Sequence, residues 1–541
     1  MNKREIAIER IAGGHLDVLV IGGGFNGAVS AMGLAAHGAA VAMVDRADFG
    51  SGTSQESSNM VWGGFKYLEG YEVRLVIGLC RSRNRLAAAY PTRIAETRFL
   101  AALDGSSPHP PWFAALGATA YWALGGFHTQ APRHRRRSTI AALEPAIDTS
   151  GVRGGIEYSD CLLVDNDARF VAQMAFDAAE QGAAIANYVE VTATDRVAGR
   201  WAIQLRDTRT GTCFETSARA LVNAAGPRVA DLSAMTEAAT EGRLVLSKGI
   251  HLVVPQITDS GRVLAFYDDE RRLFYVLPMG HRSVIGTTDT QVDDPHVEVT
   301  DDDRAFVLDQ INKRLSLTDP ITLDDVIAER CGVRGLVLEG DEQVDGRDWT
   351  ELSRRHAVEV DGERAVVSVL GGKLSDCLNV GAEVVEAVTA CGVEMTAHPV
   401  RWFGEPDASE RERFVVRAGH AGLGRAPLLD PAASVAELLW RRHGRRAHDV
   451  VARVEADHAA GDPLMAVGDY CRAEVEVMAD EEWIVTMDDF LRRRTQLAQL
   501  DRLADLRADP GVVEASRILL SAADAEAWAA DPSEVRAPRR P

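Results

Sequence analysis

Glycines at a fixed spacing near the start of the chain indicate a phosphate-binding turn. Gly22, Gly24 and Gly27 fit the pattern G-x-G-x-x-G, and Asn26 lies inside it. The first glycine allows a tight turn, the second lets the backbone approach a pyrophosphate, and the third permits close packing of helix on strand. The pattern therefore predicts a dinucleotide site, with the phosphates facing the free N–H groups of a helix N-terminus.

The elements around this turn follow the order that such a site requires. The apolar run 17–21 precedes the glycines, an alanine-rich segment follows them, and a second apolar run, 39–44, ends at Asp45. Strand, glycine turn, helix, strand and acid is the arrangement in which a carboxylate binds a ribose hydroxyl. A glycine pattern alone is weak evidence, but this context makes it specific. Asp45 is therefore the predicted ribose ligand.

A second block, rich in glycine and hydroxyl side chains, follows Asp45. It includes Thr53, Ser54, Ser58, Gly63 and Gly64. A nicotinamide enzyme has no need of so many small residues here. A flavin dinucleotide lies along the backbone, where glycines let the main chain approach it and hydroxyls bond its phosphates and ribityl oxygens. The block favours FAD as the cofactor, and the alternative is a polar surface loop.

Residues 52–69 resemble the signature of the FAD-dependent glycerol-3-phosphate dehydrogenases, which runs roughly G-T-S-x-x-S-S-K-L-I-H-G-G-L-R-Y-L-E. Further segments resemble motifs of that family in the same order: 158–160 with 165–169, 222–227, 248–251, 277–278, 285–290, 332–334, 352–354, 371–374, 472–475 and 492–495. The resemblance extends from about residue 17 to residue 501. It implies an oxidoreductase of the aerobic, quinone-linked type that contains FAD.

The resemblance also implies roles for individual side chains. Arg334 and Arg354 would bind the substrate phosphate or a hydroxyl, since the guanidinium fork matches phosphate oxygens. Lys373 would lie against the flavin and stabilise negative charge on the reduced ring. His251 is the best histidine by motif for the proton acceptor, with His356 weaker. For His251 a core histidine is an equal alternative, and for the arginines the alternative is a surface ion pair.

The remaining site predictions complete these two sets. Lys66 and Tyr67 join the predicted substrate-binding residues. The predicted cofactor-binding residues are Gly22, Gly24, Asn26, Gly27, Asp45, Thr53, Ser54, Ser58, Gly63, Gly64, Val189, Gly226, Gly372, Lys373 and Leu374. No metal site is predicted.

Several positions depart from the family pattern. Trp62 stands where the family has a histidine, and Lys66 where it has an arginine, so the charge is kept but the bidentate fork is lost. Asn59 and Gly335 replace a lysine and a proline, and residues 375–378, Ser-Asp-Cys-Leu, replace T-x-Y-R. The cofactor block is mostly kept, while the substrate residues change in several places.

Three hypotheses about function stay open. The first is oxidation of sn-glycerol 3-phosphate to dihydroxyacetone phosphate by hydride transfer to flavin N5, with the electrons passed to a quinone. The second is the same chemistry on another polyol phosphate, such as a tetritol phosphate, or on another hydroxylated metabolite, or with oxygen as the acceptor. The third is an FAD-binding protein without turnover.

The length of 541 residues predicts two or three domains. The predicted fold class is α/β, with a Rossmann-like FAD-binding domain of the glutathione-reductase or D-amino-acid-oxidase type, an antiparallel-sheet substrate domain and an all-helical C-terminal domain. The predicted bounds are 14–95, 150–245 and 330–400 for the FAD-binding domain, 96–149 and 246–329 for the substrate-binding cap, 401–530 for the helical domain and 531–541 for a disordered tail.

Charge and cysteine content limit the partners and the compartment. The net charge of −21 argues against nucleic acid as a partner. The seven cysteines form no C-x-x-C pair, which is typical of reduced thiols in a cytoplasmic protein, and no apolar run of a secretory signal follows Met1. A homodimer is an open expectation.

One uncharged segment, 110–127, leaves two interpretations open. It is followed by arginines at 133 and 135–137, and its prolines and glycines make it a poor transmembrane helix. One interpretation is a buried helix beside a solvated basic loop. The other is an interfacial patch, with Trp112, Tyr121, Trp122 and Phe127 at the lipid boundary and the arginines on anionic headgroups. The second would make the protein peripheral on the cytoplasmic face of the inner membrane, where the resembled family meets its quinone.

Overall fold

The structure, a computed structural model, describes residues 2–338, 355–427 and 433–530. Its strands, in chain order, are β1 His15–Ile21, β2 Val41–Val44, β3 Met60–Val61, β4 Ile94–Leu103, β5 Arg133–Arg135, β6 Gly154–Leu163, β7 Ala184–Ala186, β8 Val189–Val197, β9 Arg200–Asp207, β10 Cys213–Asn223, β11 Arg243–Pro255, β12 Val263–Tyr267, β13 Leu273–Met279, β14 Arg282–Gly286, β15 Thr290–Val292, β16 Ala328–Leu338, β17 His356–Asp361 and β18 Val366–Gly371. Two predictions, Arg354 as a substrate ligand and 531–541 as a disordered tail, lie outside the described residues.

The α-helices connect and cover these strands. In chain order they are α1 Lys3–Ile11, α2 Phe25–Ala36, α3 Val73–Ala89, α4 Pro111–Leu124, α5 Arg137–Leu143, α6 Asp167–Glu180, α7 Val229–Thr236, α8 Asp301–Asn312, α9 Cys377–Ala390, α10 Ala408–Ala418, α11 Val435–His443, α12 Ala447–Ala456, α13 Arg472–Glu481, α14 Leu497–Leu500, α15 Leu503–Ala508, α16 Pro510–Leu519 and α17 Ala522–Ala530.

The first sheet carries the glycine turn. Its central strands follow the order β18, β10, β1, β2 and β7 and are all parallel, while β17 is antiparallel to β18 at one edge. Helices α2, α6 and α9 pack on one face. Strands covered on both faces are continuous apolar runs, which is why 17–21 and 39–44 lack a polar alternation. Ligands of such sheets bind beyond the carboxyl ends of the strands, where β1 and β2 end.

The second sheet is mostly antiparallel and holds the predicted substrate residues. It follows the order β15, β11, β14, β13, β12, β4, β6 and β3, with β16 paired to β11. In the β11–β16 ladder Ser247 is opposite Arg334, so Arg334, Gly249 and His251 share one face of the sheet. The antiparallel ladder therefore brings together two motifs that are more than eighty residues apart in the chain.

The C-terminal part is helical, with irregular turns between its helices. The span 434–456 divides at Gly444 into α11 and α12, because Gly444 has φ +58° and ψ −127°, outside the helical region. The span 487–506 contains a π-helical turn, Asp489–Arg494, and then the short helices α14 and α15. In that turn Arg493 and Arg494 both bind the buried Asp48, a long-range contact that the local periodicity does not reveal.

The uncharged segment forms helix α4, and its interpretation as a buried helix is wrong. Only Ala118 and Tyr121 are buried in α4, whereas Trp112, Phe113 and Leu116 are exposed. The interfacial interpretation also needs a correction, because Tyr121 points inward and donates a hydrogen bond to Asp160 (2.6 Å). Within the part of the chain that the structure describes, no helix is long and apolar enough to cross a membrane.

Candidate cofactor and substrate site

The glycine turn after β1 has no room for side chains. Gly22 has φ +106°, and a Cβ there would lie 2.4 Å from the Ala224 carbonyl oxygen. A Cβ at Gly27 would lie 1.8 Å from the Gly22 carbonyl oxygen, so close packing of α2 against the turn requires glycine. Gly24 is the N-cap of α2 and supplies no capping side chain. The helix N-terminus is thus built for a ligand with acceptor oxygens.

Asp45 lies at the end of β2 and closes this turn. Its carboxylate accepts hydrogen bonds from the backbone N–H groups of Gly23 (2.6 Å) and Ala47 (2.8 Å). Burial raises the pKa of Asp45 to about 6. The Val189 N–H donates to the Asp45 carbonyl oxygen (2.7 Å), which fixes β8 against the end of β2. The predicted acid is therefore held beside the predicted phosphate turn.

The hydroxyl block contacts the rest of the predicted site through its side chains. Ser54 Oγ accepts the Phe25 N–H (3.1 Å), and Thr53 Oγ1 donates to the Val333 carbonyl oxygen (2.7 Å). These bonds join the block to the start of α2 and to β16, beside Arg334. Ser58 is half-buried. The block thus lies between the cofactor turn and the predicted substrate residues.

Gly63, which precedes Gly64, contacts a buried polar group that the sequence analysis did not assign to the site. The Gly63 N–H donates to Asp160 (3.1 Å), which also accepts from Tyr121 and from Arg83 (2.8 Å). A Cβ at Gly63 would lie 2.2 Å from the Tyr121 hydroxyl oxygen. The Tyr158-Ser159-Asp160 motif was the available signal, but Arg83 and Tyr121 had none because their partner is remote in sequence.

Lys373 and Tyr67, predicted from separate motifs, are in contact. The Lys373 ammonium donates to the Tyr67 hydroxyl (2.9 Å) and lies 4.4 Å from the centre of its ring. Asn26 Nδ2 donates to the Gly371 carbonyl oxygen (2.9 Å), which fixes the Lys373 turn to the start of α2. Gly372 has φ +107°, and Leu374 is buried. Gly226, with φ +61°, begins the turn after β10.

Arg334 and His251 lie on one face of the second sheet, on either side of Gly249. A Cβ at Gly249 would lie 2.4 Å from Arg334 Nη2, so this glycine leaves the space that the guanidinium occupies. Arg334 donates to Thr287 Oγ1 (3.2 Å) and lies 3.8 Å from the Asp289 carboxylate. Burial, with Arg334 and then Arg330, holds the pKa of His251 well below its usual range. His251 is therefore neutral at pH 7.

Lys66 and Trp62 lie close to Tyr67 in the chain. Lys66 is half-buried in the 3-10 turn Phe65–Leu68, next to Tyr67. The Trp62 and Tyr67 ring centres are 5.8 Å apart. No group of three or more histidine, cysteine or acidic side chains suited to a metal ion occurs among the residues that the structure describes.

Comparison with known proteins gives the family. Residues 17–374 match the family model described as FAD dependent oxidoreductase, and residues 420–526 match the model of the C-terminal domain of alpha-glycerophosphate oxidase. Glycerol-3-phosphate dehydrogenase 2 of Mycobacterium tuberculosis is 31% identical over 514 residues, which cover 92% of this chain and 83% of that protein. The chain belongs to the FAD-dependent glycerol-3-phosphate dehydrogenase family.

Members and neighbours of this family differ in their named substrates. D-erythritol 1-phosphate dehydrogenase of Brucella abortus is 30% identical over 492 residues, covering 89% of this chain and 94% of that protein. The glycerol-3-phosphate dehydrogenase of Bacillus halodurans, solved with FAD, has a TM-score of 0.73 at 22% identity, covering 98% of this chain and 96% of that one. This last likeness concerns the fold.

FAD is the cofactor of this dehydrogenase family member, and the residues present fit it. Side chains at Gly22 and Gly27 would collide with the backbone, Asp45 closes the turn, and the N-terminus of α2 faces it. The predicted family, fold class, cofactor and enzyme class are thereby confirmed. The roles of single residues and the domain bounds stay predictions.

Proposed function

We propose that this protein oxidises the C2 hydroxyl of sn-glycerol 3-phosphate and releases dihydroxyacetone phosphate. The observation that carries the proposal is the pair formed by Arg334 and the neutral His251 on one face of the second sheet. An anion-binding group and a proton acceptor are the two functions that a phosphorylated alcohol requires. The relatives named glycerol-3-phosphate dehydrogenase support the same substrate class.

In this proposal the cations hold the phosphate. Arg334 is oriented by Thr287 and Asp289, and its fork matches two phosphate oxygens. Lys66 adds a point charge from the turn before α3. Arg354 remains a proposed third ligand on motif grounds alone. A phosphate fixed in this way limits the substrate to one orientation, which brings C2 rather than a terminal carbon to the reacting position.

The hydroxyl proton goes to His251. A neutral imidazole accepts a proton, and no described side chain or backbone group hydrogen-bonds to its buried Nδ1. When bound, FAD supplies the acceptor at N5 for the hydride that leaves C2. The Lys373 ammonium, held by Tyr67, is placed to stabilise negative charge beside the cofactor. Substrate loses two electrons and two hydrogens in this step and becomes the ketone.

A tetritol phosphate is the second candidate substrate. Trp62 and Lys66 change the wall of the site at residues 62–66 relative to the family pattern, whereas Arg334 keeps the phosphate function. The relative named D-erythritol 1-phosphate dehydrogenase is about as similar to this chain as the glycerol-3-phosphate relatives are. Both candidate substrates would be oxidised in the same way, with the phosphate bound by Arg334 and the hydroxyl proton accepted by His251.

Anaerobic reduction of the bound flavin by substrate, followed at the flavin absorbance band, tests the proposal. We expect sn-glycerol 3-phosphate to bleach the band and D-erythritol 1-phosphate to bleach it more slowly. The reverse order would support the second candidate.

Arg334→Ala should raise the apparent dissociation constant about tenfold to a hundredfold, since a charge-assisted bond is lost. Arg219→Ala is the matched control, because Arg219 is exposed in a weak ion pair with Asp17 (3.6 Å). No bleaching by either substrate, with dithionite still reducing the flavin, would contradict the proposal.

We further propose that electrons leave to a quinone at a membrane surface, on the cytoplasmic face, and that helix α4 makes the contact. Trp112 is 67% exposed, Leu116 is 61% exposed and Phe127 is 60% exposed, which is unusual for large apolar side chains. The exposed Arg133, the first residue of β5, supplies positive charge for anionic headgroups close by in the chain. Assembly as a homodimer stays an expectation without a supporting contact.

Vesicle binding tests the membrane contact. The protein should sediment with vesicles that contain phosphatidylglycerol and remain in solution with pure phosphatidylcholine. Leu116→Glu should abolish sedimentation without changing flavin reduction, because it opposes both apolar burial and the anionic surface. Val197→Glu is a control on another exposed apolar residue, which is 55% exposed. Equal sedimentation of both variants would contradict a contact through α4.

A further inference from the structure

The Asp376 side chain binds side chains of α3, β17 and α9 rather than capping the backbone of α9. It is the N-cap residue of α9, yet its side chain makes no capping hydrogen bond. Its Oδ1 accepts from Ser82 of α3 (2.8 Å) and from Asn379 (2.7 Å), while its Oδ2 lies 2.7 Å from His356 Nδ1. An aspartate at this position ordinarily accepts N–H groups of the first helical turn. Its use for side-chain partners indicates another role.

His356 lies between two carboxylates. Its Nδ1 contacts Asp376, and its Nε2 lies 3.0 Å from Glu383 of α9. Only 10% of the His356 side chain is exposed, against 49% for Glu383. Burial alone would lower the pKa of His356, but the hydrogen bond and charge of Asp376, followed by Glu383, raise it. The imidazolium form is therefore favoured, and it donates to both carboxylates.

The pair lies directly behind the Lys373 turn. His356 is opposite Gly371 in the β17–β18 ladder, and Gly371 begins that turn. The Asp376 N–H donates to the Lys373 carbonyl oxygen (3.0 Å). Through Ser82, Asp376 also holds α3, the helix that follows Tyr67, the partner of Lys373. Both sides of the Lys373–Tyr67 contact are thus tied to one carboxylate.

We propose that Asp376 and His356 form a positioning pair that fixes the Lys373 ammonium on Tyr67 beside the flavin, and that the charge on His356 sets the strength of this hold. The inference rests on the proposed function, because it assigns Lys373 to the flavin site. Asp376 stands in 375–378, the segment that departs from the family pattern. Neither residue is expected to touch substrate, so the pair acts through Lys373.

The sign of the pH dependence follows from the groups that face His356. Asp376 precedes α9 and Glu383 lies within it, and both are acidic. From α3 the nearest described partners are Ser82 on Asp376 and Arg85, which donates to Asn379 (3.2 Å). The two carboxylates stabilise the charged form of His356 more than the more distant Arg85 guanidinium destabilises it. The pair holds the Lys373 turn most firmly while His356 is charged. This hold weakens as pH rises through the raised pKa of His356.

The experiment measures the limiting rate constant of anaerobic flavin reduction by sn-glycerol 3-phosphate against pH, with the midpoint potential of the bound FAD as a second readout. In the unchanged protein the rate constant should fall at alkaline pH. His356→Gln should lower it about tenfold at acid pH and remove that fall, with the apparent substrate dissociation constant unchanged. Its midpoint potential should become more negative, because Lys373 stabilises the reduced ring less.

Two further variants complete the design. Glu383→Gln should move the alkaline fall to lower pH, because the imidazolium loses one carboxylate. His398→Gln, a change at an exposed histidine, should behave like the unchanged protein. A His356→Gln protein with unchanged rate constant, pH profile and midpoint potential overturns the positioning pair. If the unchanged protein is not reduced by the substrate, the proposed function fails, and the midpoint potentials still decide the pair.

Discussion

Burial decides the protonation state of the residue on which the proposed chemistry depends. His251 is 2% exposed, and its nearest charged neighbours are the cations Arg334 and Arg330, so its charged form is opposed twice. In the proposed function Arg334 also binds the substrate phosphate. Arg334 therefore serves both substrate binding and the neutrality of the proton acceptor, and removing it should impair both.

The first prediction concerns His251. His251→Gln should slow anaerobic flavin reduction about a hundredfold to ten-thousandfold at saturating substrate, since the proton acceptor is lost. Because the pKa of His251 lies well below its usual range, the unchanged protein should keep its rate as pH falls through 6.5 and lose it only at a lower pH. His134→Gln, at an exposed histidine of β5, is the control. A His251→Gln rate constant equal to that of the control would exclude His251 as the acceptor.

The second prediction concerns Lys66, which replaces the arginine of the family pattern. Lys66→Arg restores a bidentate fork, so the apparent dissociation constant of sn-glycerol 3-phosphate should fall about threefold to tenfold. The limiting rate constant should stay unchanged, because the added bond is made equally in the ground state and the transition state. Titration of the flavin band under anaerobic conditions measures both constants. Weaker binding in Lys66→Arg would mean that the site is shaped for a different substrate end.

Among the elements, those fixed by local pattern were predictable. The strand, glycine turn, helix and strand around Gly22 followed from the apolar runs and from the spacing of the glycines. The contacts of Asp160 with Arg83 and Tyr121, and of Asp376 with His356 and Ser82, were not predictable. Each joins residues that are distant in sequence, and no periodicity marks such partners.

The third prediction tests the glycine turn as an element. Gly27→Ala should yield protein without bound FAD or with a lower melting temperature, because its Cβ would lie 1.8 Å from the Gly22 carbonyl oxygen. Gly78→Ala is the matched control, since Gly78 is exposed within α3 and a Cβ there meets nothing within 4 Å. The control should gain about 1 kcal/mol in free energy of unfolding, as expected for glycine in a helix. Normal FAD content together with an unchanged melting temperature in Gly27→Ala would contradict the close packing of α2 on the turn.

For the whole molecule, the helical C-terminal part closes on the cofactor region through buried charges. Asp48 lies three residues after Asp45 and accepts hydrogen bonds from Arg493 (2.8 Å) and from both terminal nitrogens of Arg494 (2.8 and 2.9 Å). Arg492 donates to the Gln55 carbonyl oxygen (2.6 Å) in the hydroxyl block. The segment between Asp45 and Gln55 is therefore held from one side by the C-terminal region.

The last prediction follows from this closure. Asp48→Asn leaves the buried Arg494 without its ion-pair partner and leaves Arg493 paired only with Asp488 and Asp489, which should cost about 3–5 kcal/mol of unfolding free energy. It should also weaken FAD binding, because residues 45–55 lose their anchor.

Burial alone would raise the pKa of Asp48, but Arg494 and Arg493 more than offset it, so the pKa is lowered. The contribution of Asp48 is present above the pKa of an unfolded aspartate and is lost as pH falls through the lower folded value, so Asp48→Asn should flatten stability in acid. Urea unfolding from pH 7 to pH 2, with flavin fluorescence reporting release, measures both effects. Glu455→Gln breaks an exposed pair with Arg417 and should leave the free energy of unfolding nearly unchanged. Equal losses in the two variants would mean that the C-terminal helices dock on the cofactor region without depending on Asp48.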